Sequence, residues 1–226
     1  MKYLEYTPLE RISDFLSHLN LGQCIIESRL EAYSCKHTGA DKRLSFSLEN
    51  EILDYLGKSS ETDSPSPADS FLCRSSRRTL VYLVLTLNHM YPDYDFSAVQ
   101  AHQYFIEESW DSFTHTVETY LVDVNKEWSE ETGCSLIETL QKALDEVIKL
   151  SECEIYSYNP TAEADPLIEK GSILRSWSFN FFFYNKRLKR VVGFRCSSLS
   201  NLLTDGFPEE EAGFAGDGEI FDTMDI

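Results

Sequence analysis

The stretch WSFNFFFYNKRLKRVVGF, residues 177–194, places a run of aromatics directly before four cations in five residues. Read at period two, Trp177, Phe179, Phe181 and Phe183 share one face, and Ser178, Asn180, Phe182 and Tyr184 share the other. On the return, Leu188, Arg190, Val192 and Phe194 oppose Lys189, Val191 and Arg195. Two strands over 174–184 and 187–198, turning near Asn185-Lys186, form the expected hairpin. The Trp177 face reads as core, because alternating aromatics suit a sheet that covers a helical layer. Phe182 and Tyr184 are expected on the open face, beside a basic, exposed tip.

Working outward, CIIESRLEAYSC (24–35) alternates Ile26, Ser28, Leu30 and Ala32 against Glu27, Arg29 and Glu31, a half-buried strand. Thr7-Pro8-Leu9-Glu10 reads as a helix start in which Thr7 caps and Glu10 completes a capping box. Leu9, Ile12, Phe15, Leu16 and Leu19 then share a face, with Gly22 as the stop. RRTLVYLVLTLNHMY (77–91) is apolar all round and is read as a buried helix capped by Ser75 or Ser76. Trp110, Phe113, Val117, Tyr120, Leu121 and Val124 recur at helical spacing, and Ser135-x-x-Glu138 opens a further helix. Residues 153–158 are another strand candidate. The expected fold is α+β: one globular domain, residues 1–200, with a largely antiparallel sheet packed by helices. A mobile linker is expected at about 57–76, rich in Ser, Pro and acids, and a disordered acidic tail at 201–226.

The formal net charge of −18 is unevenly spread. Lys170–Asn201 holds seven cations and no acid, whereas Asp205–Ile226 holds eight acids and no Lys or Arg. Most of this surface repels duplex DNA, because non-specific affinity comes from neutralising phosphates. Direct DNA binding is therefore disfavoured. The N-terminus has no apolar signal core, and no run approaches the ~18 apolar residues of a membrane span. A soluble intracellular chain with reduced thiols is expected, with most of its six cysteines buried and no membrane partner.

Catalytic signatures are missing. Gly57-Lys58-Ser59 resembles the end of a P-loop, but Ile52 stands where the first glycine belongs. The cysteines and the five histidines (18, 37, 89, 102, 115) are scattered, so no metal site, cofactor or enzyme activity is expected. Asp93-Tyr94-Asp95, in the turn YPDYDF (91–96), fits side chains that bond their own backbone. Lys42-Arg43-Leu44-Ser45 fits a basophilic kinase, while Ser64-Pro65 and Ser66-Pro67 are proline-directed sites in an exposed linker. Each phosphate would add about −1.5 to −2 charge.

WSFNFFFYNKRLKR (177–190), ECEIYSYNP (152–160), PDYDFS (92–97) and RLEAYSC (29–35) occur here in one order. Together they closely resemble the Maf-one family, the global repressors of RNA polymerase III, over nearly all of residues 1–200. Gly193 departs from the family, standing where a large apolar residue is common, and should weaken the return strand locally. The resemblance implies a non-enzymatic protein that binds the polymerase near its clamp; a monomer is assumed, since no heptad seam demands more. There it keeps the polymerase from the TBP-containing initiation complex (TFIIIB, including Brf and TBP) at transfer RNA and 5S ribosomal RNA genes. It further implies control by protein kinases and phosphatases, with shuttling between nucleus and cytoplasm according to phosphorylation. Ser45, Ser64 and Ser66 become candidate control sites, and Lys186, Arg187, Lys189 and Arg190 a candidate import signal. Asp93, Tyr94, Asp95, Tyr184, Lys186 and Arg187 are candidate partner contacts. The tail, with Phe207, Phe214, Ile220 and Phe221 among its acids, could dock on a basic surface. The competing reading is a single-stranded RNA-binding module stacking bases on Phe182 and Tyr184, although no RNP signature accompanies them.

Overall fold

A computed structural model describes residues 1–17, 19–59, 73–161, 166–167 and 175–200. The sheet is antiparallel throughout, in the order β1(Lys2–Leu4), β3(Cys24–Ser34), β7(Arg190–Ser200), β6(Arg175–Asn185), β5(Glu154–Tyr158), β4(Phe105–Glu108), with β2(Leu19–Asn20) also pairing β3. The long hairpin lies at its centre: Phe181 pairs Phe194, and Asn185 pairs Arg190. Strand β3 zips along the whole of β7, from Cys24–Ser200 to Ser34–Arg190.

Both faces of the sheet are covered. One carries α1(Thr7–Leu16), α5(Trp110–Tyr120), α6(Val122–Thr132) and α7(Leu136–Ile148), packed on Ile26, Leu30, Phe179, Phe181, Phe183 and Phe194. The other carries α2(Gly39–Ser59), α3(Arg74–Met90) and the single turn α4(Ala101–Tyr104), packed on Tyr33, Phe182, Tyr184 and Val191. The α+β expectation therefore holds, with a layer of helices on each side. The consecutive apolar run Phe181–Tyr184 has this physical cause, since a strand buried on both faces has no polar side to show.

Several local readings change. Helix α2 and the short strands β1, β2 and β4 carry too weak a pattern to be seen in the sequence. Of the linker expected at 57–76, residues 57–59 complete α2 and Arg74–Ser76 form the first turn of α3. Residues 60–72 and the tail, 201–226, lie outside the described residues. Thr7 does not cap α1; Tyr6 holds that position without a side-chain bond. The helix ends at Leu16, so Gly22, at φ +84°, serves the β2–β3 turn instead. Cys73 rather than Ser75 or Ser76 takes the N-cap of α3. Ser135 makes no capping bond to α7, and Asn125 Oδ1 on α6 accepts the Leu136 N–H at 2.8 Å in its place. Of the six free cysteines only Cys35 and Cys196 are buried; Cys73 and Cys134 are exposed. Burial pushes the Cys35 and Cys196 thiols up to about 12.

Gly193 has a packing reason that the sequence does not reveal. It sits mid-strand opposite Glu31 and Phe182, under the Thr86 and Met90 side chains of helix α3. A Cβ there would overlap the Met90 sulfur and meet the Thr86 methyl at 3.4 Å. Met90 is 2 % exposed and has little room to yield. Strand propensity alone would make Gly193→Val a gain. Overpacking instead predicts a loss of about 1–3 kcal/mol, read as a lower denaturant midpoint.

Candidate partner-binding surface

The hairpin tip is built on the C-terminus of α7. Asn185 is fully buried; its Nδ2 donates to the Ile148 carbonyl at 2.8 Å, while its Oδ1 accepts the Leu188 N–H at 2.9 Å. Arg190 Nη1 donates to the Val147 carbonyl at 2.8 Å, placing a cation where the helix leaves its negative end. Its guanidinium also lies 5.8 Å from the centre of the Tyr6 ring. Arg187 bridges to Glu152 at 2.7 Å, an exposed pair that adds little to stability. Lys189 takes the left-handed backbone at φ +51° and accepts the Cys35 N–H on its carbonyl at 2.9 Å. The four tip cations are thus unequal. Arg190 is half-buried and structural, whereas Lys186 and Lys189 are exposed with no carboxylate partner among the described residues.

Other stretches bring cations to the same end. The Tyr82 ring of α3 lies 5.9 Å from Tyr184 and 5.4 Å from His37. Burial lowers the His37 imidazole first, Asp41 opposes it next, and the Met1 amine, Lys42 and Arg78 add smaller pushes downward. The Cys35 thiol feels Lys189, and Cys73 feels Lys186. Lys36, Lys42, Arg78, Lys186 and Lys189, all exposed, therefore form one basic end drawn from three distant stretches. The tip alone was visible in the sequence. The register of β3 against β7 and the docking of α3 supply the rest.

The acidic turn does not join this end. Helix α3 separates them: at 1.5 Å per residue its 17 residues span about 25 Å. Asp93 and Asp95 are exposed and Tyr94 is half-buried. Asp95 Oδ1 accepts the Ser97 N–H at 2.8 Å, which holds its carboxyl below the usual range, so the expected self-bonded turn is present.

Tyr184 is removed from the candidate contacts. It is 4 % exposed, Phe182 is fully buried, and both lie under the α2–α3 layer. Base stacking on these rings requires an open sheet face, and α3 occupies it. Ser45 sits within α2, half-buried, its hydroxyl donating to the Asp41 carbonyl at 2.7 Å. Ser64 and Ser66 lie outside the described residues.

One buried polar cluster ties the start of α2 to the last turn of α3. Asp41 is 4 % exposed and accepts from the Met1 amine, from Thr38 N at 2.6 Å and from His89 at 2.9 Å. Burial alone would raise its carboxyl, but these bonds outweigh burial and hold it well below its ordinary value. A depressed carboxylate contributes stability that is complete above the unfolded value and is lost as pH falls through the folded one. Asp41→Asn should therefore cost about 1–3 kcal/mol near neutrality, with the gap from wild type closing as pH drops below about 4. Chemical denaturation across pH 2–7 measures this; a gap independent of pH contradicts it. No group of three or more His, Cys, Asp or Glu suited to a metal occurs among the described residues. No described helix is long and apolar enough to cross a membrane.

The pattern that defines the Maf1 regulator family matches residues 26–195, spanning β3 to β7. The chain belongs to the Maf1 family. Among curated relatives, the repressor of RNA polymerase III transcription maf1 of Schizosaccharomyces pombe is 32% identical over 201 residues, covering 85% of this chain and 80% of the relative. The Dictyostelium discoideum repressor of RNA polymerase III transcription is 29% identical, covering 93% of this chain and 92% of its own length. A crystal structure of citrus MAF1 in space group P 31 2 1 superposes with TM-score 0.70 at 65% identity, over 87% of this chain and 99% of that one. A second citrus MAF1 crystal form gives 0.68 at 62% identity, over 86% of this chain and 99% of that one. Maf1 family members are known as transcription repressors rather than as enzymes.

Proposed function

We propose that this chain represses transcription by RNA polymerase III through protein–protein contact. It binds the polymerase near its clamp and keeps it from joining the TBP-containing TFIIIB complex at transfer RNA and 5S ribosomal RNA genes. The observation that carries the reading is the family match over residues 26–195. Two surfaces, the basic end and the Asp93–Asp95 turn, stand at opposite ends of α3, so one rigid domain can engage a partner at two separated points of opposite charge.

Kinases and phosphatases set the balance through Ser45, Ser64 and Ser66, and the chain moves between cytoplasm and nucleus accordingly, with the basic tip as its import signal. Ser45 begins helical, and its hydroxyl must leave the Asp41 carbonyl to enter a kinase cleft. A phosphate there adds about −1.5 to −2 charge beside Lys42 and weakens the basic end. Affinity capture from starved cells tests this reading. The wild-type chain brings down polymerase III subunits, and Ser45→Glu, Ser64→Glu and Ser66→Glu together reduce the yield. If the subunits are missing from the eluate even under starvation, the reading fails.

A further inference from the structure

Helix α3 stops at Met90, short of the end of the sheet, and a cleft of about 220 Å³ opens beyond it. Arg29, Arg195, Ser178 and Ser197 from three neighbouring strands line it, and Tyr91 and Tyr94 form one wall. Arg29 and Arg195 are directly opposed on β3 and β7. Like charges in that position repel, so the pairing needs a compensating anion. The fold supplies little. Arg29 reaches Glu31 only at 3.8 Å with its side chain 58 % exposed, and Arg195 is held by the Met90 carbonyl at 3.0 Å and the Tyr91 ring at 4.7 Å. Glu27 also borders the cleft, but no ion pair joins it to either arginine. Two guanidiniums flanked by hydroxyls make a seat for a carboxylate, which each fork can grip through two N–H donors.

The nearest source of carboxylates is the chain itself. Strand β7 ends at Ser200, and the 26 residues after it carry eight acids and no cation. Asp205 lies five residues beyond Ser200, and Arg195 five residues before it. At ~3.3 Å per residue both separations are about 16 Å, so a chain turning back at Ser200 brings Asp205 level with Arg195. Glu209, Glu210 and Glu211 follow within reach. We propose that the cleft between Arg29 and Arg195 is a carboxylate-binding site occupied by the acidic tail of the same molecule. A tail seated there covers Tyr94, one of the residues put forward for polymerase contact, so the seat gives the tail a means to regulate that surface. The site itself does not depend on the polymerase reading.

Zero-length carbodiimide cross-linking of the full chain tests it. Arg29→Lys and Arg195→Lys keep the charge and supply an amine, and an equal mixture of isotopically light and heavy protein separates links within one molecule from links between two. The expected product joins position 29 or 195 to Asp205 or Glu209–Glu211 within one molecule, and its yield falls in ~0.5 M salt, where the screening length shrinks to about 4 Å. Asp205→Asn with Glu209→Gln, Glu210→Gln and Glu211→Gln abolishes it while leaving every folded residue in place. Links between copies, links only to Glu27 or to the acids of 61–69, or no link at all would overturn the proposal.

Discussion

Phe113→Ala is expected to destabilise this protein strongly. Phe113 is fully buried on α5, and its ring lies 5.0 Å from Phe183, 5.1 Å from Phe181 and 6.0 Å from Phe194. Among the described residues it is the ring of this helical layer that meets rings on both central strands, β6 and β7. Removing a buried Phe costs about 3–5 kcal/mol, the transfer term plus the cavity left behind. At about 2–4 °C per kcal/mol for a domain of this size, Tm should fall by roughly 6–20 °C. Thermal unfolding followed by near-ultraviolet circular dichroism reads it directly. A drop of under about 2 °C would mean that α5 is not packed on the sheet as described.

Lys186→Glu with Lys189→Glu should have the second large effect, on binding rather than on stability. Neither side chain makes an ion pair among the described residues, so the domain keeps its Tm. If the basic end meets an acidic polymerase surface, two reversals turn attraction into repulsion and lower the affinity about 100-fold, or ~2.7 kcal/mol. Arg190→Glu is the informative contrast. It breaks the bond to the Val147 carbonyl and places an anion at the negative end of α7, so it must also lower Tm. Binding that survives the lysine reversals would remove the basic end from the contact surface.

Strand β3 and helices α1 and α7 are legible because each carries a clean period, two for Ile26–Ala32 and helical for Leu136–Ile148, while α3 is legible as an uninterrupted apolar run and the hairpin by its turn between two aromatic and apolar strands. That α3 covers the second face of the sheet is not legible, because an antiparallel strand commonly keeps one wet face, the face expected for Phe182 and Tyr184. The run Phe181-Phe182-Phe183-Tyr184 contains the warning, since four successive large side chains must fill both faces. Helix α2 hides behind a mixed pattern in which Leu48 and Ile52 are buried while Phe46 and Leu53 are exposed. Capping boxes at Thr7 and Ser135 are motifs of composition, and tertiary contacts, such as Asn125 reaching Leu136, displaced the second. Of the functional surface, the tip and the acidic turn are local and could be read directly. The convergence of Lys36, Lys42 and Arg78 on the tip, and the opposition of Arg29 to Arg195, depend on strand register, which only the folded chain displays.

An order-of-addition transcription assay on a transfer RNA gene tests the central claim most directly, with purified RNA polymerase III, TFIIIB and the full chain. Polymerase incubated with the chain before it meets TFIIIB on the template should give strongly reduced transcript, while polymerase already assembled on that complex should resist the same dose. Equal transcript in both orders, with or without the chain, would contradict the account.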